Sequence, residues 1–214
     1  MGKLVVTEFI TLDGVIEDPG GSEGSEHGGW SFRHHAPDGD GFKMEELQAA
    51  DAQLLGRVTY EGFAAAWPAM EESTGEFGRK MNAMPKYVVS TTLTEATWKN
   101  TTIIANDVAA EVAKVKHRYT GDILVAGSAD LTRTLAEHHL VDEYRLMVHP
   151  VVLGSGKRLF DGAPPADLEL AESRKVGPYV LLLIYRPAAR PASDGSAAGD
   201  SAADGAAADK AKPE

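Results

Sequence analysis

The chain of 214 residues contains no cysteine. That absence excludes disulfide bonds, thiol nucleophiles and thiolate metal sites together. The chain also lacks an apolar run of membrane-spanning length, because the longest, residues 179–185, is the size of a strand. Basic residues are scarce: 21 Lys and Arg stand against 32 Asp and Glu, for a net charge of −11. A nucleic-acid surface needs a basic stripe to meet phosphates, and none is present. The expected partner is a small-molecule substrate, with no nucleic acid and no membrane. Glu8 and Asp13 follow Met1 to Val6 within one strand length, which is not the layout of a secretion signal. A cytoplasmic address is expected.

Metal-ligand spacing is missing too. His27, His34, His35, His117, His138, His139 and His149 are scattered, without carboxylates at coordinating intervals, so solvated or structural roles are expected. No serine sits in a Gly-x-Ser-x-Gly elbow. Residues 193–214 hold five acids and two lysines, hence −3 of the total charge. From about Pro187 onward Ala, Gly, Ser and Asp replace large apolar residues, leaving too little burial to offset chain entropy. The expected organisation is a domain over 1–187 and a disordered tail over 188–214.

Within the domain, apolar runs alternate with helical patterns. Strands are expected at Leu4–Thr11, Ala52–Gly56, Lys86–Ser90, Thr101–Ile104, Ile123–Ala126 and Glu143–Val148. A closing antiparallel hairpin is expected around Gly177-Pro178. Helices are expected over Phe42–Ala50, from Thr59 to about Ala66 where Trp67-Pro68 ends it, over Phe77–Ala83, and after caps at Asp107 and Ser128. Strands separated by helices imply a mainly parallel sheet whose ligands collect beyond the carboxyl ends of the strands.

Those ends carry the candidate residues. Gly56 lets the backbone approach a ligand, Thr59 caps the following helix, and Arg57 offers a fork of donors suited to a phosphate. Ser90 and Thr91 add hydroxyls at the same edge, and Gly127-Ser128 opens a second helix ahead of Leu131. Two helix starts on one edge suit a ligand with more than one phosphate, and a dinucleotide better than a single phosphate ester. The alternative is a set of ordinary turns with a surface arginine. Thr11, Asp13 and Gly14 end the first strand in a tight turn, followed by a glycine-rich stretch from Pro19 to Gly29 that reads as a mobile lid or a plain surface loop. The run from His149 to Phe160, with Pro150, Gly154 and Gly156, reads as a rigid wall beside the reacting half of the ligand, with Lys157 or Arg158 open to a substrate anion.

Leu12-Asp13-Gly14, Leu55-Gly56-Arg57-Val58-Thr59-Tyr60-Glu61, Val88-Val89-Ser90, Val125-Ala126-Gly127-Ser128 and the run from Leu140 to Gly156 together resemble the dihydrofolate-reductase-like superfamily. The specific likeness is to the riboflavin-biosynthesis reductase (RibD C-terminal domain) family, as a stand-alone member. It covers roughly residues 3–186. It implies an α/β three-layer fold with an eight-stranded mixed, mainly parallel sheet and an antiparallel C-terminal hairpin. It further implies NADPH as cofactor, hydride transfer to a small heterocyclic or ribityl-type substrate, and a homodimer. Carried onto this chain, Gly56, Arg57 and Thr59 hold cofactor phosphates, and Arg57 and Ser90 favour the extra phosphate of NADPH. Gly127 and Ser128 serve the pyrophosphate and nicotinamide side, Thr11, Asp13 and Gly14 the nicotinamide end, and Pro150 and Gly154 the substrate side.

No deaminase half is expected beside this domain. Asp40 lies at an offset from Gly56 comparable to that of the pterin-contacting carboxylate of dihydrofolate reductases. It sits in Asp38-Gly39-Asp40-Gly41, which reads as a loop and cap, so folate reduction is not assigned. No catalytic residue is identified. The alternative function is a nucleotide- or flavin-binding homodimer without turnover.

Overall fold

The computed structural model describes residues 1–34 and 37–188. The tail expected over 188–214 therefore lies, but for Ala188, outside the described residues. Eight strands form one sheet: β1 (Leu4–Thr11), β2 (Ala50–Gly56), β3 (Lys86–Val89), β4 (Thr101–Ile104), β5 (Asp122–Val125), β6 (Glu143–His149), β7 (Leu168–Val176) and β8 (Val180–Pro187). Their spatial order is β4-β3-β2-β5-β1-β6-β8-β7. All pairings from β4 to β6 are parallel, and β8 runs antiparallel to both β6 and β7. This is the mixed sheet and antiparallel finish that the sequence pattern predicts.

Five helices flank it: α1 (Pro37–Ala49), α2 (Arg57–Thr74), α3 (Glu76–Ala83), α4 (Val108–Arg118) and α5 (Ala129–Glu137). Strands covered on both sides are buried at both alternations, as β1 and β2 are. Val5, Leu55 and Val88 pack under Leu47 of α1, Tyr60 of α2 and Met81 of α3. On the opposite face Val6, Leu54 and Ile123 pack under Val112 of α4 and Leu135 of α5. A third cluster joins Phe42 of α1 to Met147, Val180 and Leu182. The result is three layers with the sheet in the middle.

Three expectations are corrected. Trp67-Pro68 does not end α2, which continues through Pro68 to Thr74. Proline removes the N–H that would meet the Ala64 carbonyl, yet α3 supports the continued helix from outside: Phe77 packs on the Trp67 ring and the Asn82 amide donates to the Trp67 carbonyl at 3.0 Å. Thr59 does not cap α2 either. The helix begins directly at Arg57 with Gly56 in the capping position, so Thr59 lies within the first turn. Asp38-Gly39-Asp40-Gly41 is not a loop, because α1 already starts at Pro37 and includes it.

The order of strands fixes where a ligand fits. From β2 the chain moves outward to β3 and β4, then returns to β5 on the other side of β2 and passes β1 to reach β6. The path reverses between β2 and β5. There α2 leaves toward one face and α5 toward the other, opening a crevice at the carboxyl rim.

Candidate active site

Gly56 and Gly127 meet at that crevice. The Gly56 N–H donates to Ser128 Oγ at 2.9 Å, and the Thr59 hydroxyl donates to the Gly127 carbonyl at 2.9 Å. The two hydroxyls lie 3.1 Å apart. The close approach that Gly56 permits is to Ser128, since a Cβ at Gly56 would stand 3.0 Å from Ser128 Oγ. Gly127 adopts a φ of +63°, and its missing Cβ would lie 3.1 Å from Thr59. Ser128 precedes α5 without capping it; its hydroxyl donates to the Ala126 carbonyl instead. The hydroxyls expected to serve as helix caps are thus spent on clasping two turns together, which leaves the first N–H groups of α2 and α5 free of side-chain caps.

A cleft of about 340 Å³ lies over this clasp. Gly56, Arg57, Thr59, Gly127, Ser128 and Leu131 line it, joined by Ile16, Glu17, Val89, Val108 and Lys157. Its volume falls within the range of small-molecule sites, roughly 300–1,000 Å³. Two uncapped helix openings present N–H groups and partial positive charge to an anion. Arg57 is half-exposed at the mouth and pairs with Glu61 at 2.9 Å, an i,i+4 contact weak enough for a phosphate to displace. These donors fit the phosphates of a dinucleotide. The opposing charge is also present: Glu17, Glu23 and Asp130 line the same cleft, with Asp130 neutralised by Arg133 at 3.0 Å. Burial, followed by the charge of Asp18, raises the Glu23 carboxyl above its usual range.

The remaining expected residues fall beside the cleft rather than in its lining. Ser90 Oγ accepts from the N–H groups of Thr92 and Leu93, so it is used by its own turn, and Thr91 is exposed. Thr11 and Asp13 form a staple. The Thr11 hydroxyl donates to Asp13 at 2.7 Å, and the same carboxylate accepts from the N–H groups of Leu153 and Gly154. The Thr11 hydroxyl is the main cause holding the Asp13 carboxyl down at about 2. Arg158 donates to the Asp13 carbonyl, so this cation is committed to the same junction. The turn at Gly14 and the loop carrying Pro150, Gly154 and Gly156 are consequently one rigid unit. It delivers Ile16 and Lys157, which share a backbone hydrogen bond at 2.9 Å, to the cleft.

Buried Glu8 and His149 and half-buried Arg145 were given no binding or catalytic role in the sequence. Glu8 occupies the inward alternation of β1, between Val6 and Ile10 on the face that packs under α4 and α5. It is 6% exposed, and its carboxylate accepts from the Gly127 N–H at 2.7 Å, directly beneath the clasp. Burial raises its pKa to about 8 against the pull of that N–H. An acid at a core position of an otherwise apolar strand was the signal. His149 ends β6 and is buried, and burial lowers its pKa to about 4. Its ring lies edge-on to both Phe9 and Trp30. On the face toward α1, Arg145 is held by Glu143, Asp122 and Glu46, a cluster at the amino ends of the strands with every charge paired. Among the described residues no group of His, Asp and Glu is arranged to hold a metal ion, and no helix is long and apolar enough to cross a membrane.

Residues 2–182 match the family model of the RibD C-terminal domain. The chain is 32% identical over 187 residues to protein YyaP of Bacillus subtilis (strain 168), covering 86% of this chain and 94% of that one. A crystal structure described as a putative riboflavin biosynthesis protein from Shewanella sp. PV-4 superposes with a TM-score of 0.66 at 19% identity, over 87% of this chain and 99% of that one. Dihydrofolate reductase from Enterococcus faecalis, complexed with NADP(H), superposes with a TM-score of 0.55 at 18% identity, over 86% of this chain and 96% of that one. At those identities the likeness establishes the fold, which is dihydrofolate-reductase-like. By the near-complete match of the family model, the chain belongs to the RibD C-terminal domain family.

Proposed function

We propose that this protein is an NADPH-dependent reductase that transfers hydride to a small heterocyclic or ribityl-type substrate. The observation that carries the reading is the clasp: two uncapped helix openings from opposite faces of the sheet, locked side by side by Thr59 and Gly127. A site with two such openings suits a ligand with linked phosphates. The family and the NADP(H)-bound reductase of the same fold support the choice of a nicotinamide dinucleotide.

NADPH supplies the hydride when bound, and the protein supplies orientation and exclusion of water. The openings of α2 and α5 would hold the pyrophosphate, with Gly127 and Ser128 at the turn and Leu131 and Val108 as apolar walls. Arg57, released from Glu61, would take the extra phosphate that distinguishes NADPH from NADH. Glu8 fixes the Gly127 N–H from below and acts as a positioning residue. Thr11, Asp13 and Gly14 would form the nicotinamide end through the rigid unit that they make with Pro150, Gly154 and Gly156. We assign the working assembly as a homodimer on the family likeness, and light scattering on the purified chain tests it.

The deciding experiment is a binding titration followed by turnover. NADPH should quench the tryptophan emission of the full chain, and its reduced-nicotinamide absorbance should then fall when pteridines, ribitylaminopyrimidines or quinones are supplied. Binding without turnover on any such compound would support the non-catalytic alternative, and no binding would defeat both.

A further inference from the structure

Trp30 and His149 make a contact that the cofactor cleft does not explain. Trp30 has no exposed surface, although it closes a segment containing Gly20, Gly21, Gly24, Gly28 and Gly29. Its ring meets the His149 imidazole edge-on, with centroids 5.3 Å apart at 82°. Phe9 closes the other side at 5.7 Å and 69°. His149 is 3% exposed, yet neither Nδ1 nor Nε2 has a hydrogen-bond partner. Buried polar groups in folded proteins are nearly always paired, so an imidazole orphaned at both nitrogens calls for an explanation.

Its location supplies one. His149 ends β6 in register with Thr11 of β1, at the same carboxyl rim as the cleft. The Trp30 indole N–H donates to the Glu17 carbonyl at 2.8 Å, and Glu17 lines the cleft. The aromatic slot and the cofactor cleft therefore share a wall. The indole fills the slot with a flat ring but turns its one polar group to Glu17, leaving His149 unsatisfied.

We propose that Trp30 is an internal stand-in for the substrate, and that a flat bicyclic heterocycle with a polar edge displaces it and pairs with a ring nitrogen of His149. The proposal rests on the reductase reading, because the neighbouring cleft is what gives the slot a reaction partner. A flat ring retains the edge contact with His149, while a polar edge adds the hydrogen bond that the indole leaves unmade. His149 is then a specificity-determining residue rather than a structural one.

The bonds that hold the segment are mostly internal to it: the Asp18 carboxylate accepts from the N–H groups of Glu23 and Ser25, the Ser31 hydroxyl donates to the Pro19 carbonyl at 2.7 Å, and the N–H groups of Gly21 and Gly29 donate to the Asp18 carbonyl, while the indole N–H donates to the Glu17 carbonyl at the segment's start. Gly21, Gly24 and Gly29 have positive φ, where the chain changes course without steric cost. At its far end His34 rests on Tyr179 in the turn between β7 and β8, with ring centroids 5.3 Å apart.

The test uses the full chain labelled with fluorotryptophan and titrated with lumazine, a bicyclic pteridinedione, in the presence of saturating NADPH. The fluorine resonance of Trp30, assigned from W30F, should move to a solvent-sensitive position as lumazine saturates, while those of Trp67 and Trp98 stay. W30A should bind lumazine at least tenfold more tightly than the unaltered chain, and W30A/H149F should lose that gain. W30F retains an aromatic plug and should fall between, which keeps the comparison informative should W30A misfold. Lumazine binding without movement of the Trp30 resonance, no tightening in W30A or W30F, no loss in W30A/H149F, or no lumazine binding by any form each overturn the proposal. NADPH affinity, measured separately, keeps the two readings apart. Its retention alongside a lumazine failure rejects only the stand-in, whereas its absence rejects the reductase.

Discussion

The Thr59 hydroxyl donates to the carbonyl of Gly127, 68 residues further along the chain, and that bond ties the start of α2 to the turn before α5. The geometry makes Thr59 a structural part of the crevice. Thr59→Ala should weaken NADPH binding about fivefold and lower stability by about 1 kcal/mol, the net value of one hydrogen bond. Thr59→Ser retains the hydroxyl and should restore both. Isothermal titration and urea denaturation on the two variants check this, and a serine variant as weak as the alanine one would show that the methyl group matters instead.

Arg57 stands at the mouth of the cleft and pairs, among the described residues, with the exposed carboxylate of Glu61. Arg57→Ala should cost NADPH roughly tenfold in affinity and NADH much less, because a charge-assisted fork to one phosphate is lost. Equal losses for the two cofactors would remove the assigned role.

Glu23 faces the same cleft and brings the wrong sign of charge to a phosphate site. Glu23→Gln should tighten NADPH by roughly threefold, the scale of one partly screened charge pair, and the gain should shrink as salt is added. A salt-independent gain, or none, would place the carboxylate away from the phosphates.

Glu8 makes stability depend on pH. Its carboxyl is raised from an ordinary value of 4.5 to about 8 by burial in the folded chain. The folded state therefore holds a proton that the unfolded state releases. This contribution is complete below pH 4.5 and is lost progressively as pH rises through about 8. Urea midpoints should fall between about pH 4.5 and 8 for the unaltered chain and fall less steeply there for Glu8→Gln, which mimics the protonated form. An unchanged pH slope in that variant would assign the dependence to another group.

The architecture was legible because apolar runs such as those of β1 and β5 alternate with helical patterns, and the residues at the strand ends matched a family with a definite strand order. Local chemistry was read less well, for a common reason. Hydroxyls at Thr59 and Ser128 look like caps in sequence, since capping is what such residues do next to a helix start, and that of Ser90 looks like a ligand contact. Only tertiary proximity shows that Thr59 and Ser128 bond across the crevice to each other's turns, and that Ser90 serves its own. Pro68 looked like a helix end because Asn82 and Phe77, which support the continued helix, belong to α3. His149 was passed over because nothing adjacent to it in sequence reveals that Trp30 and Phe9 enclose its ring.

The most direct test of the central claim is a crystal structure of the full chain soaked with NADPH. The account predicts the pyrophosphate between the openings of α2 and α5, within hydrogen-bond reach of the backbone around Gly56 and Gly127, and the adenosine-side phosphate on Arg57. A cofactor lodged elsewhere, for instance in the charged groove around Arg145 at the amino ends of the strands, would contradict it.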